Sequence, residues 1–487
     1  MESIWAQTCE IKAREPLHGN AETEIAVIGA GMAGLLIAHM LQEAGFRTLV
    51  LEADRIAGGQ TRNTTAKITS QHGLFYHKLI QTMGTSSARA YAAANEAAIA
   101  EFRRLIQERS IDCEFEELRA YLYGSDREAL QAEAESASSL GLPATFVDAP
   151  SLPFPVSGAV CFDGQAQFHP LKFLKALSAE LTIYEKTRVS HVEENRILTD
   201  RGIVTAEKIL FACHYPFVNF PGMYFARMHQ ERSYVLALEH TSNLEGMWIG
   251  ADENSYSFRN AGRYLLLGGG GHRCGENSIG GRYEALRERA KAWFPGSREI
   301  AHWSAQDCVT VDDVPYIGRY ADSRPNWYVA TGFRKWGMTS SMVAALVLRD
   351  LLTGKSNPAA AVFAPERFDL KSIAGIVKEG AQAAKGVSRR LLKVPKTLAA
   401  ELPAGHGGVV LFNGEKIGVY KDENGSLYPV DLTCPHLGCQ LEWNPDEKSW
   451  DCPCHGSRFD RFGTLLSGPA QTDLSKTVAQ GQDESKP

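Results

Sequence analysis

The hydrophobic pattern changes period several times along the chain, and each change marks an element. Ile25-Ala-Val-Ile28 is a continuous apolar run of strand length. From Met32 to Leu41 apolar residues recur at helical spacing, and Leu49-Val-Leu51 is a second short apolar run. Gly29, Gly31 and Gly34 punctuate the junction of the first strand and the helix, so residues 24–52 read as strand, glycine turn, helix, strand. Beyond this unit the pattern predicts an alanine-rich helix over 76–110, short strands from Leu118, and a helix over 126–139. Pro143, Pro150, Pro153 and Pro155 mark a loop, and an apolar helix is predicted over 171–181. A strand over 187–192, a hairpin over 196–205 turning near 200–202, and a separate buried strand over 208–213 follow. Alternation from Ser233 to Gly271 predicts an antiparallel sheet. A helix over 283–293, short strands at 314–318 and 327–333, and a helix over 338–352 close the first module near Phe368.

Residues 369–406 differ in kind. Lys371, Lys378, Lys385, Arg389, Arg390, Lys393 and Lys396 are offset by few acids, with apolar residues at loosely helical spacing. This reads as a basic helical linker, and its charge would permit weak association with an anionic membrane surface or an acidic partner. A small β-rich module spans 407–474, ahead of a polar tail over 475–487.

Composition narrows the class without defining it. The 487 residues imply two to four domains at roughly 100–200 residues each. A net charge of −6 gives no reason to expect a nucleic-acid partner. Residues 1–20 lack the apolar core of a secretory signal, and no apolar run reaches the ~18 residues that span a bilayer, so a cytoplasmic location is expected. Of the ten cysteines, Cys434, Cys439, Cys452 and Cys454 crowd together, which points to a metal site; the other six read as reduced thiols.

Two stretches carry chemistry. The first is the glycine unit, where G-x-G-x-x-G is followed by an acidic residue, Glu52, about 20 residues on. Gly29 permits a tight turn, Gly31 lets amides approach a pyrophosphate, and Gly34 allows close helix packing. Met32 and Ala33 open the helix whose N-terminus faces phosphates, and Glu52 would accept hydrogen bonds from a ribose while disfavouring NADP. Taken alone, the fingerprint does not separate FAD from NAD. The second stretch is Cys434-Pro-His-Leu-Gly-Cys439 with Cys452-Pro-Cys-His-Gly-Ser457. Two Cys-plus-His pairs suit a [2Fe–2S] centre with thiolates on one iron and imidazoles on the other, a zinc site being the alternative.

Residues 22–368 resemble the FAD-dependent oxidoreductases of the D-amino-acid-oxidase, glycine-oxidase and sarcosine-oxidase superfamily. The resemblance rests on Val27-Ile-Gly-Ala-Gly-Met-Ala-Gly34, Glu52, and Val329-Ala-Thr-Gly-Phe-Arg-Lys-Trp-Gly-Met338. It implies an α/β fold: a Rossmann-type FAD-binding domain built from segments 22–75, 185–225 and 310–355, with an antiparallel-sheet substrate domain between. It also implies that FAD is held by the glycine unit, by Ala53 and Thr61, and by Thr331, Gly332, Phe333, Gly337 and Met338 at a late helix start. The glycine-rich run Leu267–Gly275 lacks a following amphipathic helix, so it reads as a strand end near the flavin, and a second, NAD(P)H-binding Rossmann unit is not expected. Arg259, His272, Lys335 and Trp336 fall in segments able to reach the substrate. Some relatives attach flavin to an early histidine, but His72 and His77 read better as packed or capping residues.

The C-terminal module resembles Rieske domains, all-β, of the subclass in quinol-oxidising respiratory complexes. That resemblance implies Cys434, His436, Cys452 and His455 as iron ligands and a Cys439–Cys454 disulfide tying the loops together. It also implies Ser457 as a hydrogen-bond donor to a cluster sulfur and a cover at Gly468-Pro469. Phe459 stands where those proteins often carry a tyrosine, which predicts a somewhat lower potential. Together the two modules describe an oxidoreductase, a dehydrogenase rather than an oxidase, that takes electrons from a small amine or amino acid onto FAD. The electrons would pass singly through the Rieske cluster to an external acceptor, a protein or a quinone. The alternatives are a reductase with reversed flow and a non-catalytic redox sensor or electron-transfer protein.

Overall fold

The computed structural model describes residues 2–148, 150–367, 398–412 and 415–475. The basic stretch from Lys371 to Lys396 and the tail beyond Ser475 lie outside the described residues. The described chain forms two compact units: residues up to 223, 232–271 and 282–367 in one; Tyr224–Glu231, His272–Gly281 and the residues from 398 onward in the other.

The first unit is built on two sheets. In one, the strand order is Tyr316–Arg319, Trp327–Thr331, Ile203–Phe211, Ala21–Ile28, Thr48–Leu51, Ile183–Tyr184, with the Val189–Glu193 and Arg196–Thr199 hairpin added beside Ile203–Phe211. Ala21–Ile28 pairs in parallel on both sides, with Val27 opposite Val50 and Leu210. Parallel strands are covered on both faces, which explains the unbroken apolar runs. The hairpin arm and the buried strand expected as separate elements are one strand, Ile203–Phe211. Its first residues pair antiparallel with Arg196–Leu198 and alternate in burial, while its last three lie between parallel neighbours and are all buried.

Helix Met32–Glu43 follows the glycine turn and packs against helix Gly337–Leu352. That approach depends on two glycines. A Cβ on Gly34 would lie 1.8 Å from the Gly29 carbonyl oxygen, and Gly29 itself has φ +109° beneath the Ala212 carbonyl.

The second sheet runs Arg298–Thr310, Met228–Glu239, Tyr264–Arg273, Ser257–Ala261, Met247–Gly250, Glu116–Gly124, Gly158–Gln167, Lys67–Ile68, with Ala144–Val147 beside Gly158–Gln167. It is more extensive than the alternation over 233–271 predicts, and one pair, Met247–Gly250 with Glu116–Gly124, is parallel. The helix expected over 76–110 is Tyr76–Glu108, broken at Gly84 by φ +80°. The helix expected over 171–181 ends at Leu177 and gives way to a 3₁₀ turn.

The second unit holds two small antiparallel sheets, Gly407–Phe412 with Glu415–Lys421 and Leu427–Val430, and Glu442–Asn444 with Ser449–Asp451, Arg458–Asp460 and Leu465–Ser467. Trp450, Phe459 and Leu441 form its core together with Cys434 and Cys452. The loops 434–439 and 452–457 lead into and out of these strands.

Replacing Gly34 by Ala should destabilise the first unit by about 1–3 kcal/mol through overpacking against the Gly29 carbonyl. Urea unfolding reads this as a lowered midpoint with an unchanged slope; a midpoint equal to the parent's would refute the close-packing role.

Candidate functional site

The glycine turn ends at Gly31, the N-cap of helix Met32–Glu43. The Met32 N–H donates to Thr61 Oγ1 at 3.0 Å. Glu52 braces the turn from the next strand: Oε2 accepts from Ala30 N at 2.8 Å and Oε1 from Asp54 N at 2.9 Å. Burial pushes its carboxyl up, and these two backbone donors pull it back. A carboxylate has acceptor capacity beyond two bonds, so this geometry leaves room for a ribose hydroxyl. Gly337 opens the second helix, and a Cβ there would meet nothing within 4 Å; one on Gly31 would meet only Thr61 Oγ1, at 3.3 Å. Two glycine-opened helix starts with room beside Gly31 and Gly337 suit an anionic dinucleotide. Thr331 donates to the His214 carbonyl at 2.5 Å, and Gly332 makes the turn after its strand with φ +75°. Of the other candidates, Met338 and Ala33 are buried, while Phe333 and Ala53 are half-buried.

The substrate candidates separate. Arg259 is buried, and its Nη1 donates to the carbonyls of Thr65 and Ala66, both at 2.8 Å, and of Phe168 at 3.3 Å, while Nε bonds Asn260 O. Trp5 also lies against it, its ring centroid 5.1 Å away, so the guanidinium holds loop backbone. Trp336 is likewise structural: it is buried, ends the turn before the helix, and stacks on His72 at 4.8 Å with the rings 19° apart. Lys335 is exposed. His272 belongs to the second unit, where its Nδ1 faces the Arg273 carbonyl at 2.7 Å.

His72 uses both nitrogens. Nε2 faces the Thr69 carbonyl at 3.0 Å and Nδ1 the Tyr91 hydroxyl at 2.7 Å, and burial lowers it to about 3. It is a neutral packed histidine, with Nε2 protonated because a carbonyl can only accept. His77 is exposed and lies 3.1 Å from Ser136 Oγ.

Lys67 carries no motif that would mark it in the sequence. It sits on the short strand beside Gln167, and burial, with Arg259 and Lys335 nearby, lowers its amine to about 7. The only hint is its place between a polar glycine loop and the apolar Ile68.

In the second unit the two cysteine-histidine loops share one backbone turn. Gly438 N donates to Cys434 O at 2.9 Å and Cys434 N to Cys439 O at 2.9 Å; Gly456 N donates to Cys452 O at 3.0 Å and Cys452 N to Ser457 O at 2.8 Å. Gly438 and Gly456 close these turns with φ +77° and +79°. Cys439 and Cys454 form a disulfide that joins the loops. The sulfurs of Cys439, Cys452 and Cys454 lie within 4.8 Å of one another, but the disulfide removes two of them as thiolate donors.

The donors that converge are therefore Cys434, Cys452, His436 and His455. Cys434 and Cys452 are hydrogen-bonded to each other, which lowers Cys434 to about 7 and raises Cys452. The two imidazoles stand perpendicular with centroids 4.9 Å apart, and burial lowers His436 to about 4, leaving it neutral. Two buried thiols beside two imidazoles fit a mixed-ligand [2Fe–2S] centre better than a zinc ion: the pairing into one sulfur side and one nitrogen side matches two metals. Ser457 Oγ accepts from Ala470 N at 3.0 Å and also bonds Cys434. Beneath the second loop, Asp451 is fully buried with Arg458 Nε at 3.0 Å and Asn444 Nδ2 at 2.9 Å.

These two sites define a flavoprotein with its own iron–sulfur centre. Residues 24–351 match the FAD dependent oxidoreductase family and residues 393–478 the Rieske [2Fe-2S] domain; the chain belongs to the former family and carries the latter domain at its C-terminal end. A Bacillus subtilis protein, YhfW, named as a Rieske 2Fe-2S iron–sulfur protein, is 36% identical over 98% of this chain and 97% of its own length. The cytochrome b6-f complex iron-sulfur subunit 2 of a Nostoc species is 42% identical over 13% of this chain and 36% of its own. Glycine oxidase from Geobacillus kaustophilus shares the fold over 72% of this chain and all of its own, with TM-score 0.60 and 17% identity. L-proline dehydrogenase from P. horikoshii does so over 72% and 98%, with TM-score 0.61 and 17% identity. The cofactors are FAD and a Rieske [2Fe–2S] cluster. Among the described residues no helix is long and apolar enough to cross a membrane.

The depressed Lys67 has a consequence for stability. The unfolded chain keeps this amine protonated to about 10.5, whereas the folded one releases the proton near 7, so folding becomes more favourable as pH rises between those values. Relative to Lys67→Met, the parent should gain unfolding free energy from pH 7 to pH 10, measured by urea titration at both; a constant difference would show an ordinary lysine.

Proposed function

We propose that the protein is a dehydrogenase that oxidises a small amine or amino acid at its FAD and delivers the electrons through its Rieske centre to an external acceptor. The observation that carries this reading is the presence, in one chain, of an amino-acid-oxidase-type fold and a converging set of two cysteines and two histidines. An oxidase that hands electrons to oxygen directly would leave that second centre without a task. Bound FAD supplies a two-electron hydride acceptor, and the [2Fe–2S] group a one-electron carrier.

The chain's own residues do the holding. Glu52 and the amide at Gly31 would bind the nucleotide, with Glu52 on the ribose and the helix start toward the pyrophosphate. The second helix start, at Gly337, would place its positive end toward the flavin and favour the charge that reduction brings. Cys434 and Cys452 would hold one iron, and His436 and His455 the other.

Lys67 has two cations, Arg259 and Lys335, among the groups that act on it, and no carboxylate is among them. A half-buried amine in such surroundings is stabilised by an incoming anion, so a substrate carboxylate would pair with Lys67 and restore its proton. Glycine oxidase and L-proline dehydrogenase, which share the fold, are named for amino acids, in keeping with this class.

Replacing His455 by Ala should leave anaerobic flavin bleaching by an effective amino-acid substrate intact while lowering reduction of a quinone or artificial acceptor at least 100-fold. The comparison is made by stopped-flow absorbance and steady-state turnover on one preparation. Undiminished acceptor reduction in that variant would falsify the electron route.

A further inference from the structure

The second cluster loop is held by side chains that arrive from far earlier in the chain. Three successive carbonyls, of Pro453, Cys454 and His455, accept hydrogen bonds from two of them. Arg273 donates from Nε to Pro453 O at 3.1 Å and from Nη2 to Cys454 O at 3.3 Å. Gln230 Nε2 donates to His455 O at 2.6 Å and reaches Gly468 O at 3.3 Å. One amide thus joins the ligand loop to the Gly468–Pro469 segment. The two segments are in register with each other through Cys274 N to Gln230 O at 2.9 Å.

The fit is close on both sides. A Cβ on Gly456 would sit 2.7 Å from Gln230 Cβ, and one on Gly275 would sit 2.6 Å from Pro453 N. Phe225 stands edge-on to the His455 ring with centroids 6.0 Å apart. Further along, Asn277 Nδ2 bonds Asn444 Oδ1 at 3.0 Å and Asp446 Oδ2 at 2.8 Å, fixing the same segment to the sheet beneath the cluster loops. Gln230 is 1% exposed, so its amide cannot trade these partners for water.

We propose that Gln230 and Arg273 are positioning residues for the [2Fe–2S] centre, and that both raise its reduction potential, Arg273 through its charge and Gln230 through the hydrogen bond it gives the His455 carbonyl. The three carbonyls lie on the stretch that runs from the thiolate ligand Cys452 to the imidazole ligand His455. Fixing them fixes where one ligand of each iron sits. Reduction adds one negative charge to the centre, and a guanidinium beside its ligand loop stabilises that state more than the oxidised one, because potentials of such clusters follow local charge and hydrogen bonding. This rests on the cluster assignment and not on the identity of any substrate.

The test is a redox titration of full-length, cluster-loaded protein followed by the Rieske electron-paramagnetic signal, with iron content and flavin potential measured alongside. At a fixed potential, Arg273→Met and Gln230→Ala should each lower the ratio of reduced to oxidised cluster about tenfold, a shift of about 59 mV for one electron. Arg273→Lys, which keeps the charge, should recover more than half of the Arg273→Met shift, and the flavin potential should stay unchanged in all three. Curves for Arg273→Met and Gln230→Ala that superimpose on the parent's would overturn the proposal, including the case in which iron content falls but the remaining clusters titrate as before. If Arg273→Met retains no cluster, the Gln230→Ala and Arg273→Lys curves decide on the same criteria: both displaced downward supports it, both superimposed on the parent's overturns it.

Discussion

The nucleotide site depends on one carboxylate. Glu52 takes the N–H groups of Ala30 and Asp54, and in doing so fixes the glycine turn to the end of the neighbouring strand. Without that brace the turn would be free to relax away from Gly34, where a Cβ would lie 1.8 Å from the Gly29 carbonyl oxygen. The helix that starts at Gly31 packs in turn on the one that starts at Gly337. Burial raises the Glu52 carboxyl, and the two backbone donors oppose that rise.

Both cofactor sites were legible in the sequence for the same reason: each is written in a short stretch whose spacing is fixed by covalent geometry. G-x-G-x-x-G needs only a strand before it and a helix after it, and both cysteine-histidine pairs lie within single turns closed by Gly438 and Gly456. What was not legible is made by contacts between distant segments. Gln230 meets His455 across 225 positions and Arg273 meets Pro453 across 180, so no local pattern could mark either. The run Leu267–Gly275 shows the limit well. Gly269 makes room for the Tyr256 ring and Gly275 for the backbone of Pro453, and neither neighbour is marked in the run itself.

Alternation also says where a strand has two different faces and not which neighbour it takes. It predicts strands in the second sheet, yet it cannot show that Met247–Gly250 runs parallel to Glu116–Gly124. In Ile203–Phe211 the pattern changes within one strand because the neighbours change: a hairpin arm on one side first, then a parallel strand. The partners of Arg259 are equally invisible locally: three loop carbonyls, of Thr65, Ala66 and Phe168, accept from its Nη1.

The cluster environment sets two effects against each other. Phe459 is fully buried opposite Trp450 and offers no hydroxyl, so one donor found in the respiratory subclass is missing and the potential should fall. Arg273 works in the other direction. A hydrogen bond of ordinary strength contributes about 1 kcal/mol net. A unit charge acting through an effective dielectric near ~20 contributes at least as much at ligand-loop distances. The absent hydroxyl therefore does not by itself make this a low-potential centre. The guanidinium on the Pro453 and Cys454 carbonyls has the right sign to offset it.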